Sequence, residues 1–371
     1  MTTTGIVPTE LPGLPGLPYT RVAAINAHGT SVGTADNGSG QFRAVRWDAS
    51  GTPTELQANW AGSPSAISDH AIAVGYIDID GGWLAARWDA DGNITELPSL
   101  PGYAYTSANS INNYGISVGF TSTQPNVFGG PYRALQWDRD GNVTDLGILP
   151  DYSYSYATMI NAHGAVIGFA AIASDLDAPT RGTLWNRQGQ IIDLGTLGGA
   201  SSGTTWINAH GTIVGFADDP TQTQPVRWNA EGAITELPSL AGYQATQTAV
   251  INDQGTIIGN ASKSGEFGTT YQAVRWNRED HIAALELLPN GLDAAAQSIN
   301  SHGTIVGRAR TLDAPGQPRP VRWTRAGMID ELPSPPGFND LEATLINDHG
   351  TIAGNGIDAN GHPHAVLWRA S

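Results

Sequence analysis

The chain has no cysteine among its 371 residues, which removes disulfides, thiolate metal sites and a cysteine nucleophile together. It is also poor in charge. Only 14% of residues are Asp, Glu, Lys or Arg, so a coiled coil or a disordered polyelectrolyte is excluded. Basic residues are the scarcer sign: 18 Lys and Arg stand against 34 Asp and Glu, a net charge of −16. A surface of that sign repels nucleic-acid backbones and anionic lipid, so neither is expected as a partner. No stretch approaches the roughly 18 apolar residues that cross a bilayer. The start, Met1 to Pro8, carries neither a basic nor an apolar signal region, and a cytoplasmic location is expected, or a secreted one if a leader has been removed. No convincing amphipathic helix is found.

Turn formers and aromatics are plentiful instead. Gly (46) and Pro (23) are frequent, and 40% hydrophobic content with 11 Trp can bury a large core. Self-similarity organises them. An Ile-Asn-x-x-Gly core, or a close variant, starts at Ile25, Ile67, Ile111, Ile160, Ile207, Ile251, Ile299 and Ile346, a period of about 46 residues. Each core is followed by a β-branched pair and Gly, then a loop of variable length. Next comes Ala/Val-x-Trp at Trp47, Trp88, Trp137, Trp185, Trp228, Trp276, Trp323 and Trp368, and finally a turn and Thr-Glu-Leu. Eight tryptophans thereby occupy one repeated position.

These pieces read as four short strands per repeat, a to d, each bounded by Gly, Pro or Asn. Four antiparallel strands per 40–50 residues is the pattern of a propeller blade. Phase separates a closed ring from an open stack. The chain begins with a strand-d motif, Thr9 to Leu11, and ends just after strand c at Trp368. The strand-d leucines count as Leu11, Leu56, Leu97, Leu146, Leu194, Leu237, Leu287 and Leu332. The first residues thus supply the strand that the last repeat lacks, which removes exposed sheet edges. The expectation is an all-β, single-domain, eight-bladed β-propeller over residues 1–371, monomeric, with its N-terminal strand completing the blade of Trp368.

The same residues resemble a known family. Ile-Asn-x-x-Gly followed by β-branched residues and Gly, then Ala-x-x-Trp and Asp/Glu-Leu, is similar to the HAF repeat, a bacterial repeat. Gly195 to Ser202 in the fifth repeat resembles that family's Leu-Gly-Gly segment most closely. The resemblance spans nearly the whole chain and implies the repeat; it supplies no catalytic motif.

Several apparent ligand sets have turn explanations. Histidines in six a–b turns (His28, His70, His163, His210, His302 and His349) lie on neighbouring blades about 10 Å apart, too far to share an ion. His362 and His364 sit two residues apart with no carboxylate beside them in sequence. Asp89 to Asn93 and Asp138 to Asn142 echo a calcium loop, but strand d follows at once where that loop needs further ligands. No metal and no cofactor are expected. Hydrolase elbow, Walker and dinucleotide motifs are absent in the required context.

Function is sought where repeats differ, in the variable loops of the upper face that carries the d–a and b–c connections. Four residues before the strand-a Ile lie Arg21, Ser63, Ser107, Tyr156, Gly203, Gln247, Ala295 and Glu342. Six before lie Tyr19, Ala61, Tyr105, Tyr154, Ser201, Ala245, Asp293 and Asp340. Ring closure makes blades 1, 7 and 8 neighbours, so Arg21, Glu342, Asp340 and Asp293 are expected to cluster, with Tyr154 and Tyr156 opposite. Small residues from Gly198 to Gly203 are expected to open a lateral pocket, and Trp60, Trp206 and Phe338 to add aromatic surface. Glu342, Asp340, Arg21 and Tyr156 are the catalytic candidates. Tyr19, Trp60, Tyr105, Tyr154, Trp206, Gln247, Asp293 and Phe338 are the binding candidates. The sequence supports two readings of this mouth: a scaffold that binds a small molecule or protein partner, or a cofactor-free lyase, cyclase or hydrolase.

Overall fold

The computed structural model describes residues 5–56, 61–79, 82–124, 131–172, 178–266 and 268–370. Among them every regular element is a β-strand, and the strands form eight four-stranded antiparallel sheets. Strand a of blades 1 to 8 spans Tyr19–Ile25, Ala61–Ile67, Tyr105–Ile111, Tyr154–Ile160, Ser202–Ile207, Ala245–Ile251, Gly291–Ile299 and Phe338–Ile346. Each lies against strand a of both neighbours, blade 8 against blade 1 included, so the a strands line a closed channel. The eighth sheet takes its outer strand from the N-terminus: Ile6–Glu10 pairs antiparallel with Pro363–Ala370, Pro8 facing Trp368. The eight-bladed propeller and its closure are as the repeat phase requires.

The repeated residues hold blades together. The eight repeat tryptophans are each 0–1% exposed. In blades 1, 3, 6, 7 and 8 the indole N–H donates to the carbonyl of the residue after the preceding blade's strand-d Leu, as Trp47 does to Pro12 at 2.8 Å. In blade 5 Trp228 donates to the carbonyl of Leu194 itself. The Asn of each core has two tasks. Its Oδ1 accepts backbone N–H groups of its own turn, as Asn300 does from His302 and Thr304. Its Nδ2 donates to the main chain at the same position of the next blade: Asn161 to Asn208, Asn208 to Asn252, Asn252 to Asn300, Asn300 to Asn347. Asn347 then donates to the Asn26 carbonyl at 2.9 Å, closing the belt across the seam. Blade 2 carries Ser68 in place of Asn, and there Asp69 and Asn113 bridge blades 2 and 3 instead.

The c–d hairpins explain the calcium-like sequences. Asp89 Oδ1 accepts the N–H groups of Asp91 and Asn93 while Oδ2 accepts from the Asn93 amide, so its lone pairs serve the turn. One count needs correction. In blade 6 the strand-d leucine is Leu285, 3% exposed, with its N–H on the Ala273 carbonyl; Leu287 is only partly buried. Two leucines flank Glu286, and pairing of Trp276 with Ile282 selects the earlier one. The residue before it is Ala284, so blade 6 lacks the repeated acid.

Candidate functional site

Strand b sets the chemistry of the channel. The residue after its Gly varies around the ring: Thr34, Tyr76, Phe120, Phe169, Phe216, Asn260, Arg308 and Asn355. In register it sits opposite the position four before the strand-a Ile, as Arg308 faces Ala295 and Asn355 faces Glu342. Blades 2 to 5 place aromatics here, and blades 6, 7, 8 and 1 place polar groups. Several of these side chains reach strand a of the next blade. Asn260 engages both the N–H and C=O of Ala296, and Asn355 does the same to Val22 across the seam.

Arg308 reaches Glu342 in the same way. The two form an ion pair at 3.2 Å, with side chains 30% and 26% exposed. The Arg308 guanidinium also lies 5.9 Å from the centre of the Tyr271 ring. Burial pushes the Glu342 carboxyl above its usual range, Arg308 opposes that shift, and Asp340 adds to it. Asp340 is likewise raised by burial and opposed by Arg308. Two carboxyls therefore share one cation in a half-buried, low-dielectric setting.

The expected cluster is rearranged by this. Arg21 is exposed and has no ion pair among the described residues; the cation that holds Glu342 is Arg308, which counting along strand a could not reach. Asp293 is 4% exposed and committed: Arg310 grips both its oxygens, at 2.9 and 2.5 Å, and it accepts the Tyr271 N–H. Buried and bonded at both oxygens, it acts as a structural anchor. Gln247 is exposed on blade 6.

Tyr156 stands in an aromatic stack bridging blades 3 and 4. Its ring stacks on Phe120 at 4.5 Å and Phe169 at 5.1 Å, and meets Tyr132 edge-on at 5.6 Å. Burial raises its phenol while a hydrogen bond from Asn109 lowers it. Tyr105 and Tyr154 begin strand a of blades 3 and 4, half-buried. Trp206 packs against the cores on either side of blade 6, so it is scaffold. Trp60 lies outside the described residues. The expected lateral pocket in blade 5 is filled. A Cβ on Gly203 would meet the Phe216 ring at 2.5 Å, and one on Gly199 would meet Asp219 backbone at 2.4 Å.

A second cluster forms at the seam, correcting the expectation that no carboxylate attends the two histidines: Asp358, four residues before His362, and Glu10 from the N-terminal strand both reach them. His364 Nδ1 lies 2.8 Å from Glu10 Oε1, an ion-pair distance with poor hydrogen-bond alignment, and Nε2 lies 3.5 Å from Asp358. Tyr19 stacks on His362 at 4.1 Å with its hydroxyl 3.0 Å from Nε2, and Phe338 meets His364 edge-on. His364 occupies the position, four before the Trp, where blades 1, 3, 4 and 7 carry Arg43, Arg133, Arg181 and Arg319. Those arginines pair with the strand-d acids Glu55, Asp145, Asp193 and Glu331. The seam is one scaffold pair rewritten with imidazole. Asp358 is held down to about 2, first by the His362 N–H it accepts, and so stays anionic.

The architecture and this mouth define an eight-bladed β-propeller whose channel is aromatic on one arc and polar on the other. Solved structures share the fold. Dipeptidyl peptidase 4 from Porphyromonas gingivalis superposes with a TM-score of 0.64 at 8% identity, over 94% of this chain and 58% of that one. A puromycin hydrolase gives 0.55 at 13% identity, over 91% and 58%. The β-propeller domain of the Trilobed protease from Pyrococcus furiosus gives 0.52 at 8% identity, over 86% and 97%. At such identities the likeness is one of fold, and the chain spans 58% of the length of the hydrolase and of the peptidase. No protein-family model and no curated protein matches the chain.

Proposed function

We propose that the upper mouth binds a polar small molecule on its blade 7–8–1 arc, through Arg308, Glu342, Asp340 and Arg21. The repeat itself we assign to the HAF type, on Ile207 to Gly211 and Gly195 to Ser202. One observation carries the binding reading: Arg308 occupies the position where Asn260 and Asn355 of the neighbouring blades are closed by backbone bonds, yet it and its partner Glu342 stay about a quarter to a third open. Charged groups held in place but left partly hydrated are what orients a ligand. The Phe120–Tyr156–Phe169 stack supports a rigid opposite wall. Asp293 and Tyr156 do not act on the ligand in this reading, because their polar atoms are engaged within the protein.

A cofactor-free lyase, cyclase or hydrolase is the second reading. It is favoured by the upward shift that burial gives both Glu342 and Asp340, the direction in which a general acid is tuned. The test is a thermal-shift screen of polar metabolites, with hits repeated on Arg308→Gln and Glu342→Gln. Binding weakened in both variants with no product formed supports the scaffold. Turnover abolished by Glu342→Gln while affinity survives supports the enzyme. Hits unaffected by either variant would remove the mouth from consideration.

A further inference from the structure

The opposite face, made of a–b turns and c–d hairpins, carries clefts that recur between adjacent blades. One of ≈ 690 Å³ lies between blades 4 and 5, one of ≈ 310 Å³ between 5 and 6, and one of ≈ 540 Å³ between 6 and 7. Their shape follows from the repeat; their charge does not. The cleft between blades 4 and 5 has Arg187 balanced by Glu231. That between blades 5 and 6 has Arg227 and Arg278 balanced by Asp253 and Asp280. The cleft between blades 6 and 7 is lined by Arg275, Arg278, Arg325, His281 and His302, with Glu279 the one acid in its wall.

None of these three guanidiniums makes an ion pair among the described residues, in a chain of net charge −16. Arg275 donates to the Arg325 carbonyl and Arg278 to the Gln254 carbonyl, so two of the three are aimed by backbone contacts. Arg325 lies over Gly303, where a Cβ would come within 3.2 Å of its Cγ. Arg275 sits at the strand-c position from which Arg46 and Arg87 likewise reach the next blade's c–d turn, so the distinguishing feature is that Arg278 and Arg325 join it from both blades with a single acid in the wall.

We infer that this cleft binds a small phosphoryl-bearing ligand. Guanidinium is the side chain best matched to such an oxyanion, because its planar fork donates two parallel hydrogen bonds per group. The Ser301 and Thr256 hydroxyls in the wall supply neutral donors beside it. The volume exceeds that of one phosphate, and two linked phosphoryl groups can be spanned by arginines arriving from both blades.

The experiment is calorimetric titration of the full chain with inorganic pyrophosphate at low salt. Arg278→Ala and Arg325→Ala are compared with Arg187→Ala, which removes the arginine at the same hairpin position of blade 4. All three side chains are surface groups, and an unchanged melting temperature checks each fold. Saturable binding that weakens about tenfold or more in the first two variants, the worth of one charge-assisted hydrogen bond, and stays unchanged in Arg187→Ala is the expected result. No saturable binding up to about 1 mM, a weak limit equivalent to some 4 kcal/mol, overturns the inference. Equal losses in all three variants overturn it as well, since general surface charge then accounts for the signal.

Discussion

Glu342 shows how a single side chain can be read from its surroundings. Its carboxyl is raised by burial above 4.5, the ordinary value, with Arg308 pulling the other way. A carboxyl raised in the folded state favours folding fully below its unfolded value, and that contribution is lost as pH climbs through the raised value. Stability of the native chain should therefore fall, relative to Glu342→Gln, between about pH 4 and about pH 7. Denaturant titrations of both proteins at the two pH values check this; a native chain that gains on the variant over that range contradicts the burial account. Arg308 was hidden from sequence counting because it belongs to strand b of the preceding blade. Its signal was present as the one variable residue after an otherwise constant Gly, where seven blades read Thr, Tyr, Phe or Asn. The role of Asp293 was hidden for a similar reason, since Arg310 reaches it across the a–b pair.

At the scale of the element, the turns make the sharpest demands. Seven a–b turns place Gly in the left-handed region, but blade 2 has Ala71 there at φ 59°. A side chain costs about 1 kcal/mol in that conformation, partly offset by the entropy that Gly loses on folding. Ala71→Gly should stabilise the protein by roughly 0.5–1 kcal/mol in denaturant unfolding; destabilisation would mean that the Ala71 methyl packs usefully. Blade 6 departs the other way. Its c–d turn has Asp280 at φ 63° in place of Gly, and the carboxylate is held by Arg227 at 2.9 Å. The asparagine belt gives a graded test. Asn300→Ala strips both the turn cap and the bond to blade 8, and should cost about 2–3 kcal/mol. Asn300→Ser mimics blade 2, where Ser68 still accepts the Ile72 N–H, and should cost only about 1 kcal/mol. Equal losses from the two substitutions would show that the turn cap contributes nothing, and no loss from Asn300→Ser would show that the inter-blade bond contributes nothing. These elements were legible in the sequence because turn chemistry is local. The belt was not, since nothing in an isolated Ile-Asn-x-x-Gly says that the amide points to the next repeat.

For the whole molecule, the number of blades and the seam follow from repeat phase, because an open edge strand is a liability that a ring removes. The seam is built like every other contact between blades. Trp47 bonds to Pro12, Asn347 to Asn26 and Asn355 to Val22, while Leu11 sits 1% exposed in the core between blades 8 and 1. The polar arc of the channel also centres on this seam, so closure brings Tyr19 to His362 and Glu10 to His364. That dependence makes closure the claim on which the functional site rests. The absence of cysteine permits an unambiguous test. Leu11 donates its N–H to Ala365, so by alternation Ile6 and Ala370 form a non-hydrogen-bonded pair, the closer type of cross-strand neighbour. Ile6→Cys combined with Ala370→Cys should form a disulfide in the folded protein on mild oxidation, seen as faster migration on a non-reducing gel and a raised melting temperature. Failure of that bond to form in the folded protein, with both thiols remaining titratable, would contradict a ring closed by its N-terminal strand.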